Sequence, residues 1–222
     1  MPAKRDAITP PSLPDELVPL LSLDLSSHLE IVDASLSGLH VSNGHAPGLS
    51  ITASRLEGVT LLGCHLHGLE AKDVVLEGCD LSASDLSESR FLRVELRHCR
   101  LSGAVLSMST LEDVKFTDCK IDGINLRMSK GQRVWILDSN MREADLYATT
   151  LRTSRILDSD LSLAEFSKAD LSGTRLQGSR LDGAKGAGGL HGIEVDANQA
   201  LLLSQLLLEL HEISVQEREQ ER

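Results

Sequence analysis

The sequence predicts an all-β solenoid, a chain that turns a corner every five residues and stacks its own coils into a rod. Three observations predict it. Large apolar residues recur with a period of five from Ile31 to Leu181. Small residues recur with the same period, two positions earlier, as in Cys79, Ser84 and Ser89. Aromatic residues make up only 2% of the chain, too few for a globular core that draws its buried area from large rings.

The large track comes first. Stepping by five from Ile31, 28 of 31 positions hold a large apolar residue, and only Ala46, Ala71 and Gly131 do not. All three phenylalanines, Phe91, Phe116 and Phe166, fall on it. No insertion breaks the register, so chance does not explain it. The small track carries Cys64, Val74, Cys79, Ser84, Val94, Cys99, Ala104, Ser109, Val114 and Cys119, with larger residues mainly near its start, at Leu39, Leu49 and Leu69, and Ile124 a later exception. An amphipathic helix needs an apolar spacing near 3.6 and a half-buried strand needs 2. A spacing of five fits sides of five residues, each pointing one large and one small residue inward. The remaining three positions face out, and they are mostly Ser, Asp, Glu, Arg, Gly and His.

Units such as Ser84-Asp85-Leu86-Ser87, Ala144-Asp145-Leu146 and Ala169-Asp170-Leu171-Ser172-Gly173 resemble those of the pentapeptide-repeat family. The resemblance implies a right-handed quadrilateral β-helix over residues 29–190, with four pentapeptides per coil. Residues 20 apart then stack, about 4.8 Å from one coil to the next. Residues 1–28 form a Pro-rich tail and cap, and residues 191–222 a C-terminal helix.

Open solenoid ends expose strand edges and need covers. The Leu-rich segment 15–29 is the expected N-terminal cap. At the other end Asp196 and Gln199 have the spacing of a helix capping box. Leu202, Leu203, Leu206, Leu207, Leu210 and Ile213 then share one wide helical face, with Leu201 and Leu208 nearly opposite. One apolar face can close the coil. The other calls for a partner, either a second copy in a homodimer or a segment of the same chain. Family members also dimerise through their C-terminal ends.

Composition limits function. A net charge of −11 argues against direct nucleic-acid binding. No apolar run reaches the roughly 20 residues that span a bilayer. Met1 to Pro14 lacks the apolar core of a signal peptide, so a cytoplasmic protein is expected. There is no phosphate loop, nucleophile elbow, zinc-protease or dinucleotide motif, hence no expected enzyme activity or cofactor. Cys79, Cys99 and Cys119 should form an inward column of compact apolar residues. In Cys64-His65-Leu66-His67 the thiol points in and both imidazoles out, so no metal site is expected.

Two outward features stand out as candidate partner-binding sites. Trp135, the only tryptophan, sits beside Arg133 and near Gly131, where the large track is interrupted. It is either a binding hot spot or a cover for the thin place left by Gly131. Asp118, Asp138 and Asp158 are 20 apart and should form a carboxylate column, with Asp160, Asp145 and Glu165 on neighbouring columns. Like charges at coil spacing repel, so the column either serves binding or is neutralised by Lys115, Lys120, Arg155 and Arg175. Family members that confer quinolone resistance are acidic dimeric rods resembling B-form DNA, and they bind DNA gyrase. The unbroken register here looks nearest the mycobacterial fluoroquinolone-resistance type. The resemblance implies a DNA mimic directed at gyrase, with a rigid protein-interaction scaffold as the alternative. Charge placement weighs on that choice. Residues 31–185 hold 21 acids against 18 bases, whereas residues 1–30 carry −3 and residues 186–222 carry −5.

Overall fold

The computed structural model describes residues 7–210 and 212–213. The chain winds as a right-handed, four-sided parallel β-helix of about seven coils. Its strands are β1 (Val18–Leu20), β2 (Glu30–Val32), β3 (Ala34–Ser37), β4 (His40–Ser42), β5 (Ser50–Glu57), β6 (Thr60–Leu62), β7 (Glu70–Glu77), β8 (Arg90–Arg97), β9 (Thr110–Thr117), β10 (Lys130–Leu137), β11 (Thr150–Arg152) and β12 (Arg155–Leu157). The main sheet runs β1-β3-β5-β7-β8-β9-β10-β11, with β2 on β5 and β12 on β10. Registers such as Glu70 with Arg90, Val74 with Val94 and Leu76 with Leu96 confirm the 20-residue coil.

The eight-residue strands each cover two sides and the corner between them. In β7 the first side is residues 70–72, the corner Asp73 and the second side residues 74–77. On the third side β4 pairs with β6, and beyond that pair the third and fourth sides are held by single parallel bridges, such as Asp80 to Arg100 and Asp85 to Val105. Corners turn because one residue in five adopts a left-handed backbone, for example Arg93 (φ 54°) and Asp138 (φ 50°). That conformation costs an L-residue about 1–2 kcal/mol. It is held by the neighbouring coil: the Asp138 N–H donates to the Leu157 carbonyl at 3.1 Å.

The interior follows both tracks. Leu56, Leu66, Leu86, Leu96, Leu106, Ile136 and Phe166 are buried on the large one. The serines of the small track have a role beyond size. Ser84 Oγ accepts the Cys64 N–H at 3.0 Å, and Ser109, Ser139, Ser154 and Ser159 do the same for Ser89, Cys119, Val134 and Ser139. These amides point into the core, where an unpaired donor is costly. A hydroxyl one coil away satisfies each. Gly131 leaves no gap, because Leu151 of the next coil fills it: a Cβ there would meet Val134 Cγ2 at 2.8 Å and Leu151 closer still.

At the N-terminal end β1 extends the sheet against β3, and Leu20, Leu23, Leu25 and Leu29 pack onto the core. Residues before β1 pass along the corner between the first and second sides, where the Ser12 N–H meets Asp73 and the Thr9 N–H meets Asp113. At the C-terminal end two short 3-10 turns, Ala187–Leu190 and Ala197–Gln199, lead into α1 (Ala200–Leu210). Asp196 and Gln199 form the expected capping box. Gln199 also turns inward, its Nε2 donating to the carbonyls of Leu176 (2.7 Å) and Ser179 (2.6 Å).

Candidate binding surfaces

Outward carboxylates divide into those the fold consumes and those it leaves free. On the third and fourth sides, where the residue before a large inward residue is Asp, Asn or Glu, its side chain accepts the backbone N–H two positions on, a local turn that fixes the chain path. Asp80 holds Ser82 at 2.9 Å, Asp85 holds Ser87 at 3.0 Å, and Asn125 and Asn140 hold Arg127 and Arg142. Three candidate residues belong to this set. Asp145 accepts the Tyr147 N–H at 3.0 Å and pairs with Arg127 at 2.9 Å. Asp160 accepts the Ser162 N–H and hydroxyl and pairs with Arg180. Burial raises the Asp160 carboxyl, but Ser162 and Arg180 outweigh it and hold it below the usual range. Glu165 accepts the Ser167 N–H at 2.7 Å. The sequence signal was the recurrence of Asp or Asn at one position of the repeat, which marks a turn and not a site.

The column Asp118, Asp138 and Asp158 occupies the corner between the second and third sides, each residue left-handed with φ of 53°, 50° and 50°. Asp118 is met by His98 Nδ1 at 2.9 Å. Asp138 and Asp158 are exposed, and among the described residues neither has an ion pair. The bases expected to neutralise the column are mostly engaged elsewhere. Lys120 lies 4.0 Å from Asp122, Arg175 pairs with Glu194 at 2.8 Å, and Arg155 stacks on Trp135. Asp138, Asp158 and Asp160 line a shallow hollow with Asn140 and Arg180.

Trp135 lies half-buried on the second side, with the Arg155 guanidinium 4.4 Å from its ring centroid. Its Nε1 is buried and has no hydrogen-bond partner among the described residues. Gly131 lies on the first side and is filled by Leu151, so Trp135 does not cover it. Arg133 is committed to a bidentate pair with Asp113 (2.6 and 2.9 Å) and a contact with Glu112 at 2.9 Å. Its guanidinium is held by that cluster instead of projecting beside the tryptophan.

The C-terminal helix divides the expected interface residues. Leu206 is buried and Leu203 half-buried against the chain's own core. Leu207, Leu210 and Ile213 are 50%, 46% and 55% exposed, and Leu201 is 75% exposed. The Leu202 side chain lies outside the described residues. An open apolar hollow runs between α1 and the turn carrying Ala187, Leu190 and Ile193.

The cysteine column is interior. Cys79, Cys99 and Cys119 are buried free thiols. Bonding in which Cys99 is the donor to Cys119 and Cys79, with burial, pushes the Cys99 thiol far up. Burial pushes the Cys64 thiol up against a Gly44 backbone hydrogen bond, whereas bonding to Cys99 pulls Cys79 and Cys119 down. Each thiol of the column donates to a carbonyl of the preceding coil and packs inside the core. His45 and His65 stack with ring centroids 6.1 Å apart. Among the described residues no three His, Cys, Asp or Glu side chains are placed to hold a metal ion. None of the described helices is long and apolar enough to cross a membrane.

Comparison with known proteins matches residues 69–136 to a pentapeptide repeat region and residues 139–183 to pentapeptide repeats in eight copies, together about half of the chain. Among solved structures, full-length QnrB1, a plasmid-mediated fluoroquinolone resistance protein, is similar at 22% identity and a TM-score of 0.46, covering 86% of this chain and 99% of that one. HetL, a pentapeptide repeat protein involved in heterocyst differentiation regulation in the cyanobacterium Nostoc, is similar at 17% identity and a TM-score of 0.30, covering 77% and 89%. A pentapeptide repeat protein of the Arabidopsis thaliana thylakoid lumen is similar at 22% identity and a TM-score of 0.34, covering 50% and 63%. No curated protein matches the chain.

Proposed function

Because the chain belongs to the pentapeptide-repeat family, we propose that it is a non-catalytic binding protein whose acidic corner engages a basic protein surface, with DNA gyrase the partner to test. The observation that carries this reading is the state of Asp138 and Asp158. Asp33, Glu70, Glu88 and Asp182 are also exposed and without an ion pair among the described residues, but none of them has an acid one coil away, whereas Asp138 and Asp158 stand exposed at coil spacing and the nearby Arg180 is paired with Asp160. Stacked like charges oppose folding, and a basic partner would relieve them. A spacing of about 4.8 Å is near the ~3.4 Å charge spacing along one DNA strand, which supports mimicry of a phosphate edge. The acidic C-terminal end would extend that edge if α1 joins two copies through Leu207, Leu210 and Ile213.

A gyrase supercoiling assay, with and without a fluoroquinolone, tests the reading. Dose-dependent inhibition or drug protection is expected, lost in D138K/D158K and retained in Trp135→Ala. No effect from the folded protein sinks the gyrase assignment. Loss with Trp135→Ala alone would move the contact to the second side and favour the scaffold reading.

A further inference from the structure

The corner between the first and second sides carries a column of alternating charge: Asp73, Arg93, Asp113 and Arg133, one per coil. Arg93 makes two 2.6 Å bonds to Asp73, and Arg133 bonds Asp113 at 2.6 and 2.9 Å. Each aspartate still has acceptor capacity, and in each case Oδ1 takes a further backbone amide. The Ser12 N–H donates to Asp73 at 3.0 Å and the Thr9 N–H to Asp113 at 3.1 Å. Asp73 and Asp113 are thereby 6% and 5% exposed, at positions the repeat points outward.

The spacing accounts for the fit. Asp73 and Asp113 are two coils apart, about 9.6 Å at ~4.8 Å per coil. A polyproline-II chain has three residues per turn and rises ~3.1 Å per residue, about 9.3 Å per turn. Thr9 and Ser12 are three residues apart, so their amides fall on one face at the required separation. Between them lie Pro10 and Pro11, whose rings fix the extended backbone and which have no N–H to leave unpaired. Ile8 and Pro11, also three apart, are half-buried.

We infer that this corner is a recognition track for a polyproline-II peptide with two free amides flanking a Pro-Pro pair, and that residues 9–12 are its tethered ligand. The carboxylates supply the acceptors, and the arginines orient them and keep them ionised. A short tether presents its ligand at an effective concentration of the order of millimolar. An external proline-rich peptide therefore binds only when the tethered segment is released. This reading concerns a different corner from the acidic column and stands whether or not gyrase is bound.

The test uses the full chain. In wild type, amide exchange should be slowed at least about tenfold at Thr9 and Ser12 relative to Leu13. The double variant T9P/S12P removes the two backbone donors, together with the two hydroxyls, and keeps the extended conformation. A labelled synthetic peptide of residues 7–14 should bind that variant at least about tenfold more tightly than it binds wild type. The same peptide with both positions changed to proline should not bind. Unprotected Thr9 and Ser12 amides in wild type overturn the inference. So does a peptide that binds both proteins equally, or that fails to bind a variant whose melting curve shows it folded.

Discussion

Replacing Gln199 by leucine should unravel the C-terminal end of the solenoid. Gln199 is 7% exposed, and all of its side-chain polar atoms are used. Its Oε1 accepts the Asp196 N–H at 3.0 Å, and its Nε2 donates to Leu176 and Ser179. The Leu176 carbonyl keeps a second donor, the Ser179 N–H at 3.2 Å. The Ser179 carbonyl has no other donor among the described residues. An orphaned buried acceptor costs about 1–3 kcal/mol, and a lost cap interaction about 1 kcal/mol. Gln199→Leu should therefore cost about 2–4 kcal/mol, which at roughly 2–4 °C per kcal/mol lowers the melting temperature by about 5–15 °C. The loss should begin at the end coil, since a solenoid's repeats contact only their neighbours. Calorimetry gives the midpoint, and amide exchange around Thr174 and Ser179 gives the location. Gln199→Glu keeps an acceptor for Asp196 but turns an oxygen toward two carbonyls, so it should be at least as damaging. A shift under about 2 °C for Gln199→Leu, or wild-type behaviour of Gln199→Glu, would refute the assigned role.

Four further outcomes follow from the same structure. Ser84→Ala leaves the buried Cys64 N–H without its acceptor and should destabilise by about 1–3 kcal/mol in denaturant unfolding. The Arg93 guanidinium holds Asp73 below its ordinary value, and for Asp113 burial acts upward but Arg133 and the Thr9 amide outweigh it. The unfolded chain therefore binds protons first, near pH 3.9. The stability these groups contribute is complete above that pH and is lost as pH falls through their depressed folded values. Melting midpoints should be flat from pH 7 to about 5 and drop below about 4, with a shallower acid limb in Asp113→Asn. Leu206→Ala removes a side chain packed on its own core and should cost about 2–5 kcal/mol. Leu207→Asp with Leu210→Asp should leave the melting temperature of the monomer unchanged and convert a homodimer to monomers in light scattering.

Much of the fold was legible in the sequence because a solenoid repeats its constraints. Each five-residue unit meets the same environment, so one track of leucines fixes the sides and the corners, the family resemblance implies the 20-residue register, and Asp196 with Gln199 marks the start of the end turn. Periodicity says which residues face out, and nothing about what they meet there. Asp145, Asp160 and Asp138 are alike as outward acids, yet two are bound into turns and ion pairs and one is free. Asp145 and Asp160 precede a large inward residue, where the backbone N–H two positions on meets the carboxylate, whereas Asp138 is a left-handed corner residue, and the ion pairs depend on a cation one coil away. Arg133 looked like a basic neighbour of Trp135 and Arg155 like a neutraliser of the aspartate column, but one is held by Asp113 and the other lies on the indole ring. The tertiary structure alone placed Thr9 104 residues from its partner Asp113, and Ser12 61 residues from Asp73. An aperiodic segment has no register to announce its path. Its course was decided by the match between the turn of a proline-rich chain and the height of two coils.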